Sequence, residues 1–259
     1  MKNLIRKIFS RPVFQSIFES LLNFSLKALN IGEGQSVETS GEKVVFKILN
    51  KIANEKVVVF DVGAHTGEWY NLFKENYTKD SVVYSFEPSK ESYLKLLEIK
   101  DFNFHPENLA LGDKTGETFL FSPGNAGSPG SYISDEGMSA NKENSDKVTI
   151  TTINKYCHDN NIKNIDLLKL DVEGYEIKIL KGAKEMLKND VIKMIQFEFG
   201  APSPEKYSLK DFFDLLTDKY DIYRILSDGY YPVKEWRHYY EIMTVTNFVA
   251  IKKDFANKL

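Results

Sequence analysis

Four acidic residues in this chain each close an apolar run: Asp61 after VVVF, Glu87 after VVYSF, Asp171 after LLKL, and Glu198 near the end of VIKMIQFEFG. Unbroken apolar runs of this length suit strands covered on both faces, and β-branched residues suit an extended backbone. In doubly wound α/β sheets, ligands gather outside the carboxyl ends of the strands, so the four acids would share one rim. Such a rim could bind hydroxyls and cations, and it could accept a proton. A solvated acidic edge is the plainer alternative, but solvated acids seldom follow four separate buried strands.

The loop after Asp61 narrows the choice of ligand. It reads VGAHTGEW, with Gly63 and Gly67 four apart and a helical spacing of Trp69, Leu72 and Phe73 behind them. Glycines allow a tight turn and let a ligand lie against bare backbone, and the following helix aims free N–H groups at that ligand. The phosphate loop G-x-x-x-x-G-K-[ST] is missing from the chain. The dinucleotide pattern G-x-G-x-x-G is missing too, because His65 stands where its second glycine would be. Asp61 would repel phosphate but suits an amino group. Glu87, at the tip of the next strand, can accept hydrogen bonds from both hydroxyls of a ribose. Together these features fit S-adenosylmethionine better than NAD. The exit of the next segment, NLALGD (Asn108 to Asp113), falls where the adenine of such a cofactor would lie.

Asp171 and Glu173 sit two apart in LLKLDVEGYE, and residues two apart point to the same side if the strand persists that far. Asp171, Glu173 and Glu198 are therefore the candidate catalytic carboxylates. A variant has Asp171 and Glu198 holding Mg²⁺, which would lower the pKa of neighbouring sugar hydroxyls.

The elements that must position these residues can be read in order. Helix is expected over Val44 to Ile52, from Ser89 as N-cap to about Ile99, over Glu176 to about Lys188, and over Leu209 to Lys219. Phe102 to Leu111 reads as a third strand and its exit. Glu117 to Ser122 and Lys147 to Thr152 alternate and could pair as a hairpin. Between them, Phe121 to Asp146 is rich in Gly, Pro, Ser and Asn, a lid over cofactor and acceptor or a plain surface loop. The last strands are expected at Asp221 to Leu226 and near Met243 to Ile251. The connection between them holds Tyr230, Tyr231, Trp236, His238, Tyr239 and Tyr240, aromatics that could stack on a sugar ring or simply pack at the sheet edge.

Residues 1–40 form a separate helical arm, and residues 41–259 the main domain. Lys2, Arg6, Lys7 and Arg11 precede apolar residues at helical spacing, including Phe14, Ile17, Phe18, Leu21, Leu22 and Leu29. The arm is interrupted by Glu19, Asn23 and Lys27, so it cannot cross a bilayer, and it lacks a small-residue cleavage signal. It could pack on its own domain, pack on a second subunit as a homo-oligomer, or lie on an anionic membrane. The 259 residues suffice for one large α/β domain with small additions. A net charge of −3 argues against a nucleic-acid partner held by its phosphates. A single cysteine, Cys157, excludes an internal disulfide and a cysteine-based zinc site, and points to a cytoplasmic location.

FDVGAHTGEW, the SFEP step, NLALGD, LLKLDVEGYE and QFEFG stand in the order found in FkbM-type S-adenosylmethionine-dependent methyltransferases, which the chain resembles from about Val57 to Lys253. The resemblance implies the class I methyltransferase fold: Rossmann-like, doubly wound and mostly parallel, with seven strands of which the last is antiparallel. It implies O-methylation of a hydroxyl, often on a sugar of a natural product or bacterial surface glycan. By position it assigns Asp61, Gly63, Ala64, His65 and Gly67 to the methionine side of the cofactor. It assigns Glu87 and Pro88 to the ribose and Asn108, Leu109 and Ala110 to the adenine. Asp171 and Glu173 fall beside the reacting centre. The family commonly has Asn where this chain has His65. Two other readings compete: a nicotinamide-dependent sugar-modifying enzyme, which would need a Tyr-x-x-x-Lys relay that no third-strand end supplies, and a catalytically silent nucleoside-binding domain.

Overall fold

The computed structural model describes residues 2–32, 40–53, 56–122, 128, 130–133, 145–200, 207–242, 244–256 and 258. Most of the Phe121 to Asp146 loop, and with it the lid expectation, lies outside the described residues, as does most of the segment joining arm to domain.

The chain runs α1 (Lys2–Phe9), α2 (Pro12–Ala28), α3 (Glu42–Ile52), β1 (Val57–Val62), α4 (Glu68–Asn76), β2 (Ser81–Phe86), α5 (Lys90–Leu96) and β3 (Phe104–Glu107). It continues through β4 (Ala110–Leu111), β5 (Gly116–Phe121), β6 (Tyr132–Ile133), β7 (Ser145–Thr151), α6 (Ile153–Asp159) and β8 (Ile165–Leu170). Then follow α7 (Glu176–Gly182), α8 (Lys184–Lys188), β9 (Ile192–Phe199), α9 (Leu209–Leu216), β10 (Tyr220–Ile225), β11 (Tyr230–Pro232) and β12 (Thr246–Lys252).

The main sheet has the order β11-β10-β12-β9-β8-β1-β2-β3. β3, β2, β1, β8 and β9 pair in parallel, and β12 runs antiparallel between β9 and β10. This is the expected doubly wound class I methyltransferase sheet, with β12 inserted antiparallel as the third strand from the β11 edge. Eight strands rather than seven are present among the described residues, because part of the aromatic connection folds back as β11 along β10. The expected third strand divides after Glu107. β3 stays in the main sheet, whereas β4 joins a second sheet of order β4-β7-β5-β6. The expected pairing of residues 117–122 with 147–152 forms within that second sheet, as β5 against β7.

Register explains why the runs are apolar throughout. Phe60, Leu168 and Ile195 align across three strands and belong to one core; Val59, Leu167 and Met194 align one residue earlier and belong to the core on the opposite face. Each such burial contributes roughly 1.5–3 kcal/mol. α3 and α4 close the second core, with Phe46 edge-on to Trp69 and Phe73 at ring distances of 5.3 and 5.4 Å. Ser89 caps α5 as expected, accepting from Ser92 N. The single helix expected after Glu176 breaks at Ala183 into α7 and α8. Cys157 is buried on α6, and burial pushes its thiol up to about 12, which makes it a packing residue.

The arm does not pack on its own domain along its length. α2 has no buried residue, and Phe9 contacts Phe14 and Phe18, which ties α1 to α2. Among the described residues its end is the part rooted on the domain: Asn30 Nδ2 donates to Ile225 O at 3.1 Å and Gly32 N to Val245 O at 2.7 Å.

Candidate active site

A cavity of about 760 Å³ opens at the carboxyl ends of β1, β2, β8 and β9. Its lining includes Gly63, Ala64, His65, Glu87, Pro88, Leu109, Ala110, Asp171, Glu173 and Glu198, so most of the expected site residues converge on it.

At the β2 end, Glu87 is held by the backbone. Its Oε2 accepts from His65 N and its Oε1 from Ser89 N, each at 2.8 Å, so one side chain staples the β1–α4 loop to the β2–α5 loop. Burial pushes Glu87 up to about 7, against the lowering effect of these donors. Each carboxylate oxygen keeps a second acceptor site, enough for two hydroxyls. Leu109, Ala110, Leu111, Leu120 and Ile133, largely from the second sheet, add an apolar wall near it. Asn108 does not line the cavity. Its Nδ2 donates to Glu87 O and Pro88 O, both at 2.9 Å, and fixes the turn that carries the acid.

The glycines work differently from the expectation. A Cβ on Gly63 would stand 1.8 Å from Asp171 O, and one on Gly67 2.7 Å from Ile99 Cδ1. The side on which a Cβ would stand is therefore occupied by the protein in both, while Gly63 still lines the cavity and Gly67 does not. Both also have positive φ, as does His65 at φ 47°. Asn and His are among the few side chains that tolerate this left-handed region, which accounts physically for the exchange of one for the other here.

The other end is built on a polar row crossing the sheet. Ser85, Asp61, Lys169 and Gln196 are in register across β2, β1, β8 and β9, on the face covered by α3 and α4. Asp61 is fully buried and outside the cavity lining, which corrects its expected contact with an amino group. It holds Lys169 instead, whose Nζ lies 3.0 Å from Asp61 Oδ1, 3.2 Å from Gly63 O and 3.4 Å from Asp171 Oδ2. Burial works to lower the Lys169 pKa, but Asp61, Asp171 and Glu42 outweigh it and keep the ammonium charged. Glu42 comes from α3, lines the cavity, and accepts from Gln196 Nε2 at 3.1 Å. Sequence reasoning missed Lys169, Glu42 and Gln196. The signal was present for two of them, a lysine within LLKLD and a glutamine within MIQFEF, polar residues inside otherwise apolar strands.

Asp171 and Glu173 meet at the cavity by another route than extended backbone. β8 ends at Leu170, and Glu173 and Gly174 turn through φ 55° and 95°. Glu176 Oε1 holds this turn, accepting from Val172 N and Gly174 N at 3.2 Å. Glu198 stands opposite, in register with Asn247 of β12. Burial, then the carboxylates of Asp171, Glu173 and Glu176, push Glu198 up to about 9. That environment favours its protonated form near neutrality, which runs against the base role expected for it. The Mg²⁺ expectation at Asp171 and Glu198 does not fit either. Among the described residues no group of three or more His, Cys, Asp or Glu side chains could hold a metal ion, and the Lys169 ammonium already sits beside Asp171. His238 and the neighbouring aromatics are also absent from the lining; Trp236 Nε1 instead donates to Glu241 Oε1 at 2.6 Å.

S-adenosylmethionine fits the residues present. Glu87 suits ribose hydroxyls, the apolar wall suits a base, and the acids at the far end suit cationic groups. Trp69 lines the cavity with a buried Nε1 that has no hydrogen-bond partner among the described residues, a donor available to a carboxylate.

A curated relative, the hexuronic acid methyltransferase AglP of Haloferax volcanii, is 26% identical over 166 residues, covering 62% of this chain and 64% of its own length. The chain thus spans less than two thirds of that relative. A solved FkbM methyltransferase from Methylobacillus flagellatus KT aligns with a TM-score of 0.49 at 16% identity, over 76% of this chain and 43% of that one. Magnesium protoporphyrin IX methyltransferase (ChlM) from Synechocystis PCC 6803, solved with bound SAM, aligns with a TM-score of 0.41 at 12% identity, over 82% and 80%. The family model described as the methyltransferase FkbM domain matches residues 61–228, more than half of the chain and the stretch that builds both ends of the cavity, and this protein belongs to that family.

Proposed function

We propose that the chain transfers a methyl group from S-adenosylmethionine to a hydroxyl of a sugar. The observation that carries this reading is one cavity with a backbone-anchored acid at its β2 end and a lysine-held acid at its β8 end. The cofactor, when bound, supplies an electrophilic methyl on a sulfonium. The protein's part is to align the acceptor oxygen and take its proton, and alignment itself supplies much of the rate. Asp171 is the base: its side chain is 45% exposed and fixed from below by Lys169. Glu198, holding its proton, donates to a second acceptor oxygen, and Glu173 adds negative charge beside the sulfonium. Glu87 and Pro88 hold the ribose, Leu109 and Ala110 the base, and Trp69 and Glu42 the amino-acid end.

The relative AglP is named for a hexuronic acid. In this chain the sole Lys or Arg among the described lining residues is Lys169, already engaged by two aspartates, so the lining favours a neutral sugar over one that brings a carboxylate.

Titration calorimetry with S-adenosylhomocysteine and with NAD tests the cofactor: binding of NAD alone ends the proposal. Asp171→Asn should lower methyl transfer to sugar acceptors by roughly a hundredfold while leaving S-adenosylhomocysteine binding within a few-fold; undiminished transfer removes Asp171 as base. A chelator should leave turnover unchanged, and a loss restored by Mg²⁺ would reverse the reading of the acids.

A further inference from the structure

The arm presents a surface that its own domain leaves uncovered. Leu4, Ile5 and Ile8 of α1, with Val13, Ile17 and Leu21 of α2, are exposed by 43% to 71% although all are large and apolar. On α2 they recur every four residues, with Ser16, Glu19, Asn23 and Lys27 forming a polar stripe beside them. Single exposed apolar residues are ordinary, but a continuous face of them marks an interaction site. No helix among the described residues is long and apolar enough to cross a membrane, so the face must lie against its partner rather than pass through it.

Charge identifies that partner. Residues 2–29 contain five cations (Lys2, Arg6, Lys7, Arg11, Lys27) and one acid (Glu19), a net of +4, which leaves −7 on the remaining chain of net −3. Arg6, Lys7 and Arg11 are interspersed with these apolar residues along the chain, and no acid precedes Glu19. A second copy would bring like charge to like charge. An anionic surface with an apolar interior satisfies both features at once.

We propose that α1 and α2 form an in-plane anchor that seats on an anionic lipid bilayer, its apolar face among the acyl chains and its basic residues at the headgroups. The anchor is rooted at the cavity wall, because Gly32 N donates to Val245 O and Val245 lines the cavity. Docking therefore brings the site to the membrane surface. The proposal is independent of the methyl-transfer reading, since it rests on the arm alone.

The full chain should co-sediment with vesicles of phosphatidylcholine mixed with phosphatidylglycerol, bind vesicles of phosphatidylcholine alone far less, and be released by salt. Reversing two charges, Arg6→Glu with Lys7→Glu, should weaken partitioning at least roughly tenfold. Ile17→Asp with Leu21→Asp should abolish it. Both variants should keep the parent's melting temperature, because α2 buries nothing against the domain. Equal binding to neutral vesicles, or none to either, overturns the proposal. So does a drop in melting temperature in the apolar variant, which would mean the face packs on the body. Sedimentation velocity that finds a dimer dissolved by the same variant, without vesicle binding, would assign the face to a second copy instead.

Discussion

The two ends of the cavity use the same residue type under opposite rules. At the tip of β2 one carboxylate, Glu87, is gripped by two backbone N–H groups, so its position is set by main chain alone. At the tips of β8 and β9 three carboxylates share one space with few backbone donors. There Lys169 fixes Asp171, whereas burial and the Asp171 carboxylate raise the pKa of Glu173, and burial with Asp171, Glu173 and Glu176 raises that of Glu198. Backbone donors give a geometry that does not depend on neighbouring side chains, which suits recognition. Crowded acids around one ammonium give protons that shift with whatever cation arrives, which suits chemistry.

The sharpest way to break this contrast is to remove its cation. Lys169→Met leaves Asp61 buried without its partner and should cost about 3–5 kcal/mol of stability, read by urea unfolding. A second change, Asp61→Leu, should recover part of that loss. A single variant as stable as the parent would mean that Lys169 does not organise the β8 end.

Glu87→Gln tests the other end. Its amide group cannot accept from both His65 N and Ser89 N, so one buried donor is lost at a cost of about 1–3 kcal/mol. S-adenosylhomocysteine affinity, measured by calorimetry, should fall accordingly by roughly ten- to a hundredfold. If affinity held while methyl transfer fell, the roles of the two ends would need exchanging.

The smallest effect concerns pH. Glu198 has its folded pKa raised from 4.5 to about 9, so the folded chain binds the extra proton between those values. Its contribution to stability is then full below 4.5 and is lost as pH rises through about 9. Glu87 and Glu176, both raised to about 7, slope in the same direction. Glu198→Gln should flatten the upper part of this decline in melting temperature against pH. An unchanged profile would show that Glu198 is ionised throughout.

Much of this was legible before folding, because the relevant information is local. An apolar run bounded by an acid says strand and strand end, and the five motifs in order carry the resemblance that implies the sheet. Positive-φ positions announced themselves as Gly63 and Gly67, although their reason, close packing against Asp171 and Ile99, is a contact between distant segments. Asn108 was placed in the right turn and the wrong role, since only the folded chain shows its amide facing Glu87 O and Pro88 O. The extended-strand geometry read into Asp171 and Glu173 was overridden by Glu176, whose carboxylate rewards a tight turn.

What the sequence determined by itself was the succession of strands and helices, the acids at the strand ends and the amphipathic arm, all products of short-range pattern. Tertiary structure alone decided which acids are charged and which are exposed. Asp61 and Lys169 lie more than a hundred positions apart and become neighbours through register between β1 and β8. Burial and shared fields then sort chemically similar carboxylates into an ion pair, a backbone-held acceptor and a group pushed toward its neutral form, because electrostatic energy depends on distance and dielectric, which a linear pattern does not carry.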